Sequence, residues 1–335
     1  MIKDLISQLI TKKDLTEPQM QQVMQEILSG STPTADIVTF LTSLNAKGET
    51  VAELTAAVKV MLKYVDPIIV DKPNILDTCG TGGDKKGTFN ISTITALVAS
   101  GSGVTVAKHG NRSVSSACGS ADILEALGVN INMDKVKIKQ CLEEIGIAFL
   151  FAPNLHLAMK HVMPARKQIA QKTMFNILGP LINPARATNQ LIGVYALEWT
   201  NRLAQVLHNL GTQHVLVVHG ADGLDEVTTT GKTFVSEVIG GVLKDYEITP
   251  EDFGLSRAKP ADLNGGEVAE NVKIALDILA GRKGSKRDIV LFNAGCAIYA
   301  ANKAEDISAG IKLATKAIDS GEALKKLELL KEYSK

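Results

Sequence analysis

One change of pattern, at Pro67, constrains the fold more than any other feature of this 335-residue chain. Before Pro67 only helical spacing is visible, and Thr16 with Gln19 and Thr50 with Glu53 have the spacing of capping boxes. After it, short apolar runs bounded by turn residues alternate with helical segments. Such alternation predicts right-handed crossovers and a mainly parallel sheet. We therefore expect an α/β protein with a small N-terminal helical domain and a larger domain whose sheet is flanked by helices.

The strand-helix alternation pauses between about residues 155 and 190 and resumes with LIGVYAL. Further on, VTTTGKTFVSEVIGG has the pattern of a β-hairpin, for which we expect a turn near Thr230 and Gly231. Open parallel sheets bind ligands beyond the carboxyl ends of their strands. The loops that follow predicted strands are therefore where a site is expected.

The first such loop is GTGGD, residues 80–84, which follows the apolar run NILDTC. Glycines allow positive φ and a close backbone approach, so successive N–H groups can form an anion-binding nest ahead of a predicted helix. The sequence is neither GxGxxG nor a Walker motif, which disfavours a dinucleotide or ATP site. A tight turn without a ligand remains the alternative. Asp84 would repel phosphate unless it caps the loop or meets a cation or a ribose hydroxyl.

The loop after the next predicted strand, KHGNRSVSSACGSAD, is rich in potential cations and hydroxyl groups. The cations are Lys108, His109 and Arg112, and the hydroxyl groups come from the serines at 113, 115, 116 and 120. This content suits a polyanionic ligand, and a solvated loop is the alternative. We favour the ligand because this loop and GTGGD should lie at the same edge of the sheet.

An acidic pair, Asp225 and Glu226, follows the strand HVLVVHG in a loop that contains glycine. Two carboxylates beside a phosphate site would repel the ligand unless a divalent cation bridges them, and Mg²⁺ commonly combines one or two carboxylates with substrate phosphates. A surface Asp-Glu pair is the alternative. Arg166, in HVMPARKQIA, could grip a small carboxylic acid through its guanidinium, although a lone arginine is more often a surface residue.

The composition excludes several classes of protein. Lys plus Arg and Asp plus Glu both number 36, so no basic surplus indicates a nucleic acid or an anionic membrane as partner. No apolar run approaches the length of a membrane span. The four cysteines form no CxxC pair, which is typical of free thiols in a reducing cytoplasm. A cytoplasmic protein is therefore expected.

Together these segments resemble the anthranilate phosphoribosyltransferase family. The resemblance covers essentially the whole chain and is carried, in order and spacing, by residues 80–84, 88–93, 108–116, 119–122, 163–166, 175–184 and 222–226. It implies a helical domain made of residues 1–68 and 165–190 and an α/β domain made of residues 69–164 and 191–335. It also implies homodimers joined through the helical domains, for which Leu5 and Leu9 are interface candidates.

The resemblance further implies transfer of the phosphoribosyl group of phosphoribosyl pyrophosphate (PRPP) to the amine of anthranilate. The PRPP-binding residues would be Gly80, Thr81, Gly82, Gly83, Asp84, Thr88, Asn90, Ser92, Thr93, Lys108 and Ser120. The anthranilate-binding residues would be Gly80, His109, Asn111, His156, Arg166 and Gly179. Mg²⁺, as two ions, would be held by Ser92, Asp225 and Glu226, and the residues that carry the catalysis would be Lys108, Asp225 and Glu226.

Two positions depart from the family's usual pattern. Lys85 and Lys86 separate Asp84 from Gly87, where a glycine usually follows the motif directly, and Lys172 stands where arginine is common. We assign Lys172 no role at this point. Two alternatives stay open: a pyrimidine nucleoside phosphorylase-like enzyme, which the acidic pair disfavours, and a non-catalytic regulatory protein, which would be expected to lose part of the phosphate or metal residues.

Overall fold

The computed structural model describes residues 2–113 and 117–335. Ser115 and Ser116, two of the hydroxyl groups considered above, lie outside the described residues. The chain begins with four helices, α1 (Ile2–Ile10), α2 (Glu17–Ser29), α3 (Thr34–Lys47) and α4 (Val51–Lys63). No helix in the two described stretches is long and apolar enough to cross a membrane.

Both capping boxes are confirmed. The Thr16 hydroxyl accepts the Gln19 N–H at 3.4 Å, and the Gln19 side chain accepts the Thr16 N–H at 2.9 Å. At α4, the Thr50 hydroxyl accepts the Glu53 N–H at 3.2 Å, and Glu53 accepts the Thr50 N–H at 2.7 Å. Each box satisfies two backbone donors that a helix N-terminus would otherwise leave unpaired, which explains why the two helices begin where they do.

The remainder of the chain builds the sheet and the helices around it. Its longer elements are β1 (Leu76–Gly80), α5 (Ile91–Gly101), β2 (Val106–Gly110), α6 (Ser120–Ala126), α7 (Lys135–Glu144), β3 (Ile147–Phe151), α8 (Ala152–Leu155), α9 (Met163–Gln168), β4 (Asn189–Gly193), α10 (Glu198–Asn209), β5 (His214–Gly220), β6 (Thr233–Ile239), β7 (Val242–Ile248), α11 (Val268–Leu279), α12 (Ser285–Ala300), α13 (Ile307–Asp319) and α14 (Glu322–Tyr333). Short 3₁₀ helices cover Leu157–His161, Met174–Asn176, Gly179–Leu181, Pro250–Phe253 and Pro260–Leu263.

The seven strands form one sheet in the order β3-β2-β1-β4-β5-β6-β7. The first five strands of that order are parallel, and β6 and β7 are added antiparallel, so the expected mainly parallel sheet is confirmed. The chain runs outward from β1 through β2 to β3 and then returns to place β4 on the other side of β1. This reversal is a topological switch point, where ligands of open α/β sheets bind.

The expected position of the hairpin turn is wrong. Strands β6 and β7 do form a hairpin, but it turns at Gly240 and Gly241, with φ of 57° and 77°, and not near Thr230 and Gly231. Two consecutive residues with positive φ suit the type I′ turn of a two-residue hairpin, and a Gly-Gly pair adopts it without strain. The threonines at 228–230 belong instead to the loop that carries the acidic pair.

Two hydrophobic cores flank the sheet. One contains the helices that follow β1 and β7, and the other joins α1–α4 to one face of β4 and β5. The chain between β3 and β4, residues 152–188, is called the returning segment. The second core also contains its Ala165, Phe175 and Leu178. For this reason we propose that residues 165–188 belong to the helical domain. The expected boundary at residue 190 extends too far, because Asn189 and Gln190 are the first residues of β4 in the sheet.

The helical core corrects the choice of interface residues. The exposed fractions of Leu5 and Leu9 are only 4% and 1%, because both residues pack inside their own helical domain. They are therefore unavailable to a partner. Ile10 is the apolar residue of α1 that faces outward, at 66% exposure.

Candidate active site

The loops that follow β1, β4 and β5 meet at the carboxyl edge of the sheet. The Thr81 N–H donates to the Gly193 carbonyl at 2.9 Å. A Cβ on Gly193 would lie 1.6 Å from the Asp225 carbonyl oxygen, and one on Gly80 would lie 3.2 Å from Asp225 Oδ2. Glycine at 193 is therefore required by the backbone of the acidic loop, and Gly80 brings the GTGGD loop directly against Asp225.

The GTGGD loop has the left-handed glycine conformations from which an anion-binding nest can be built. Gly82 and Gly83 have φ of 65° and 81° and are followed by Lys85 at 59°, a left-handed conformation that is uncommon for a residue with a side chain. Asp84 caps the loop, since its carboxylate accepts the N–H of Lys86 at 3.1 Å and that of Asp225 at 3.4 Å. Of the arrangements considered for Asp84, backbone capping is the one observed.

The N-terminus of α5 lies next to this nest and carries polar atoms without partners. Asn90 occupies the N-cap position but makes no capping hydrogen bond, since its Nδ2 donates to the Cys118 carbonyl at 2.9 Å and its Oδ1 points elsewhere. That Oδ1 and the Thr93 hydroxyl are buried and have no hydrogen-bond partner within the described structure. Buried polar atoms are usually paired, so these two call for a ligand or an ordered water. Thr88, nearby, bridges to Asn264 in an antiparallel contact.

Asp225 and Glu226 form a half-buried, mutually repelling pair. Burial, together with the neighbouring Asp84, raises the pKa of Asp225 to about 7. Burial and the charge of Asp225 raise the pKa of Glu226 well above its usual range, while Lys108 and the Ser92 N–H act in the opposite direction. Within residues 2–113 and 117–335, no three His, Cys, Asp or Glu side chains are grouped to hold a metal ion. The expected trio of Ser92, Asp225 and Glu226 is nevertheless brought together.

Lys108 lies on β2 and extends into the protein. Its ammonium donates to the Thr78 carbonyl and lies 3.4 Å from the Ser92 hydroxyl. Burial lowers the pKa of Lys108, and the charges of Asp77, Cys79 and Glu226 counteract this effect. The ammonium therefore partly neutralises the carboxylates behind the glycine loop.

The expectation that one loop presents three cations is wrong. Lys108 and His109 are part of β2, and His109 is neutral at ordinary pH. Arg112 pairs with Asp122 at 2.8 Å and with Glu125 at 2.9 Å, so its guanidinium ties the loop to α6. Sequence alone could not reveal these partners, because both acids lie ten or more residues further on.

Three of the residues expected to bind anthranilate are in contact. The ring Nε2 atoms of His109 and His156 are 3.0 Å apart, and His109 is also hydrogen-bonded to the backbone of Gly179. Burial is the main reason that the pKa of His109 falls to about 3 and that of His156 to about 4. The pair therefore offers an uncharged polar surface. His156 also lines a small apolar pocket with Leu28 and Met61 of the helical domain.

These histidines make stability depend on pH. In the unfolded chain both would titrate near 6.5, but in the folded protein they resist protonation until pH falls to about 4 and 3. As pH falls below 6.5 the unfolded state gains protons first, so the free energy of unfolding should drop by about 1.4 kcal/mol per pH unit for each histidine. Urea unfolding measured at pH 6 and pH 5 tests this. His156→Gln should show a clearly smaller pH slope, and an unchanged slope would contradict the assignment.

The other predicted residues lie around this centre. Ser120 begins α6, and its hydroxyl donates to the Asn111 carbonyl at 3.1 Å. Asn111 is exposed, and its side chain accepts the Arg112 N–H at 2.7 Å. Arg166 lies on α9 and is half-buried. Its side chain makes no hydrogen bond or ion pair with any other described residue. Burial lowers its pKa, which indicates a guanidinium partly withdrawn from water.

Sequence reasoning missed the residues that hold this site together. Asp77, fully buried on β1, accepts the His109 N–H at 3.0 Å and the Asn183 side chain at 2.8 Å, which links β2 to the returning segment. Asn293 on α12 pairs with both backbone groups of Val227, at 2.9 and 2.7 Å, and so fixes the loop of the acidic pair. A charged residue inside the apolar run NILDTC was the available signal for Asp77.

Comparison with known proteins agrees with this geometry. Residues 72–324 match the glycosyl transferase family a/b domain, and residues 3–65 match the helical bundle domain of the same family. An anthranilate phosphoribosyltransferase of Citrifermentans bemidjiense is 49% identical, and the match covers 98% of each chain.

Solved structures agree as well. An anthranilate phosphoribosyltransferase from Thermus thermophilus matches with a TM-score of 0.93 at 40% identity, over 98% of each chain. One from Saccharomyces cerevisiae, in complex with PRPP and Mg, matches with a TM-score of 0.91 at 28% identity, over 99% of this chain and 97% of the other. From its whole length, its fold and its site, the chain belongs to the anthranilate phosphoribosyltransferase family.

Proposed function

We propose that the protein transfers the phosphoribosyl group of PRPP to the amine of anthranilate. The products are N-(5-phosphoribosyl)anthranilate and pyrophosphate, in a step of tryptophan biosynthesis. The observation that carries this proposal is the meeting, at one sheet edge, of a loop with left-handed glycines, a helix N-terminus with unpaired polar atoms, and a half-buried carboxylate pair. Membership of the family supports it.

PRPP offers groups that match the free atoms of this edge. Ribose hydroxyls can donate to the unpaired Asn90 Oδ1, and phosphate oxygens can accept from the Thr93 hydroxyl. The backbone N–H groups of the glycine loop and of the α5 N-terminus, together with the helix dipole, would attract anionic oxygens. Two of these groups, the N–H of Gly82 and that of Ser92, are hydrogen-bonded to Asp225 and Glu226. We assign to PRPP the residues Gly80, Thr81, Gly82, Gly83, Asp84, Thr88, Asn90, Ser92, Thr93, Lys108 and Ser120.

The carboxylate pair fits a divalent cation. Asp225 and Glu226 are half-buried beside Asp84, and the raised pKa of Asp225 reflects its withdrawal from water and then the neighbouring charge of Asp84. Mg²⁺ suits such carboxylate oxygens when phosphates and waters complete its shell. We propose that Asp225, Glu226 and Ser92 hold Mg²⁺, as two ions. When bound, Mg²⁺ would neutralise charge that builds up on the departing pyrophosphate.

Arg166 is the residue that we assign to the anthranilate carboxylate. The neighbouring imidazoles are neutral, so they cannot supply the positive charge that this carboxylate needs. A guanidinium can bind a carboxylate with two parallel hydrogen bonds, and Arg166 is half-buried without a recorded partner of its own in the described chain. Gly80, His109, Asn111, His156 and Gly179 would complete the acceptor site.

The reaction is a substitution at the ribose C1. The amine nitrogen forms a bond to C1 on one face while the bond from C1 to the pyrophosphate oxygen breaks on the other, with inversion and an oxocarbenium-like transition state. The amine then releases a proton. Lys108 and the N–H groups of the nest stabilise the growing negative charge of the pyrophosphate. Because the nucleophile is already an amine, most of the catalysis is positioning, which closure of the two domains would complete.

Pyrophosphate release distinguishes this reaction from nucleoside phosphorolysis. The purified protein should release one pyrophosphate per anthranilate consumed when PRPP and Mg²⁺ are present. It should not cleave uridine or thymidine in the presence of inorganic phosphate. Phosphorolysis without PRPP consumption would replace the proposed function with that of a nucleoside phosphorylase.

Replacing Arg166 tests the acceptor site. Arg166→Ala should raise the KM for anthranilate by about 10- to 100-fold, because a charge-assisted hydrogen bond is worth about 1.5–3 kcal/mol. The KM for PRPP should change by no more than about twofold. Lys167→Ala, at the exposed neighbour on the same helix, is the matched control. A larger effect on the KM for PRPP would remove Arg166 from the acceptor site.

We also propose that the protein is a cytoplasmic homodimer joined through its helical domains. The resemblance to the family supports this arrangement, and the exposed Ile10 of α1 is an apolar residue available on that domain. Light scattering after size-exclusion chromatography should give a mass near twice the chain mass of 35.7 kDa.

A further inference from the structure

Lys172, for which the sequence pattern indicated no role, links the returning segment to the glycine loop. Its Nζ donates to the Gly83 carbonyl at 3.1 Å. The same atom lies 3.1 Å from the centre of the Tyr195 ring. The ammonium is therefore held between the loop after β1 and the turn after β4.

The turn after β4 is itself tied to the glycine loop. The Tyr195 N–H donates to the Thr81 hydroxyl at 3.2 Å, and the Thr81 N–H donates to the Gly193 carbonyl. An aromatic ring face attracts an ammonium group, and this holds even where the side chain, like that of Lys172, stays exposed to solvent. Two hydrogen bonds and the contact between the ammonium and the aromatic ring thus link Lys172, Gly83, Tyr195 and Thr81.

Charges of both signs surround Lys172. Asp225 and Asp84 attract its ammonium, whereas Lys85 repels it, and partial burial lowers its pKa. The side chain is therefore a cation placed beside the carboxylates that surround the metal site. It stands on a segment different from the one that carries Lys108.

We propose that Lys172 is a positioning residue for phosphoribosyl transfer, which pins the glycine loop in the shape that binds the diphosphate of PRPP. This inference rests on the proposed function. The peptide unit is planar and trans, so holding the Gly83 carbonyl toward Lys172 directs the Asp84 N–H the opposite way. Gly82 and Gly83 are free to rotate through left-handed conformations, so a loop without this anchor would sample other N–H directions.

The same contact couples the two domains. Lys172 belongs to the segment that packs into the helical core, whereas Gly83 and Tyr195 belong to the sheet domain. An anchored glycine loop therefore requires the returning segment to stay close to the sheet edge. We expect the loss of Lys172 to weaken the binding of PRPP more than it weakens the binding of anthranilate.

The experiment compares Lys172→Met, Lys172→Arg and Tyr195→Leu with the parent protein. Lys167→Met, an exposed lysine on α9 of the same segment, is the matched control. Calorimetry with PRPP and Mg²⁺, without anthranilate, gives the dissociation constant. Trp199, the single tryptophan, lies close to Tyr195 in the chain, in the first turn of α10, so its fluorescence reports on this region during the titration. Steady-state kinetics give the two KM values and kcat.

We expect Lys172→Met to raise both the PRPP dissociation constant and the KM for PRPP by about tenfold, with the KM for anthranilate within about twofold of the parent. Lys172→Arg should recover most of the loss, Tyr195→Leu should show a smaller loss of the same kind, and Lys167→Met should match the parent. The inference alone would be overturned if Lys172→Met bound PRPP as tightly as the parent does. It would also be overturned if the variant lost affinity for PRPP and for anthranilate to the same extent. A parent protein that does not bind PRPP would overturn the proposed function as well.

Discussion

Replacing the acidic pair with its neutral amides, Asp225→Asn with Glu226→Gln, is expected to abolish most turnover. We expect kcat to fall by at least about 10³-fold, because the substitution removes the charges that would hold Mg²⁺ against the departing pyrophosphate. The residual rate should no longer depend on Mg²⁺ concentration. The measurement is a Mg²⁺ titration of initial rates for the parent and the double variant.

Thermal unfolding separates this effect from a loss of fold. The parent holds two half-buried carboxylates beside Asp84, and their withdrawal from water raises the pKa of both. Neutral amides remove that repulsion, so the unliganded double variant should unfold at a temperature no lower than that of the parent. Glu143→Gln with Glu144→Gln, at the adjacent acids that end α7, is the matched control and should keep full turnover. Undiminished turnover in the Asp225/Glu226 variant would refute the metal assignment.

The second large effect is expected at Lys108. Lys108→Met should reduce kcat/KM for PRPP by about 10²- to 10³-fold, as when one preorganised donor is removed from a developing anion. The ammonium lies beside Ser92 and Glu226, so its loss also leaves the carboxylates of the site without their nearest buried cation. Initial rates at varied PRPP concentrations give the value directly.

A buried lysine also contributes to packing, so the Lys108 experiment needs a readout of folding. Lys108→Met keeps a similar length and apolar stem, and near-UV circular dichroism should match that of the parent. Lys160→Met, at an exposed lysine of the returning segment, serves as the control and should keep the rates of the parent protein. A folded Lys108→Met protein with kcat/KM for PRPP within about threefold of the parent would exclude Lys108 from catalysis.

The fold follows from the sequence where local signals agree with the tertiary structure. The capping boxes at Thr16 and Thr50 place two helices correctly, and the alternation after Pro67 predicts the parallel sheet. The hairpin turn was misplaced because VTTT has strong strand propensity but serves as a loop, held by Asn293 through Val227. That contact joins residues 66 positions apart, so no local pattern could predict it.

The site was predictable as a set of residue types and only partly as geometry. The order of the loops along the sheet places Gly80, Asn90 and Asp225 together, as parallel strands require. The direction of individual side chains was not predictable. Lys108 turns inward because Asp77 and Glu226 attract it, and Lys172 reaches Gly83 across 89 residues of chain. In the sequence, the apolar spacing of Leu5 and Leu9 is equally typical of a subunit interface and of a domain core. Only the packing of the folded chain shows that they lie in the core.

Anthranilate fluorescence provides the most direct test of the central claim. The purified protein is mixed with anthranilate, PRPP and Mg²⁺, and the fluorescence of free anthranilate is followed with time. The account predicts a decay that requires all three components and stops when EDTA is added. A flat trace, from a protein that calorimetry shows to bind PRPP, would contradict the assignment of anthranilate as the acceptor.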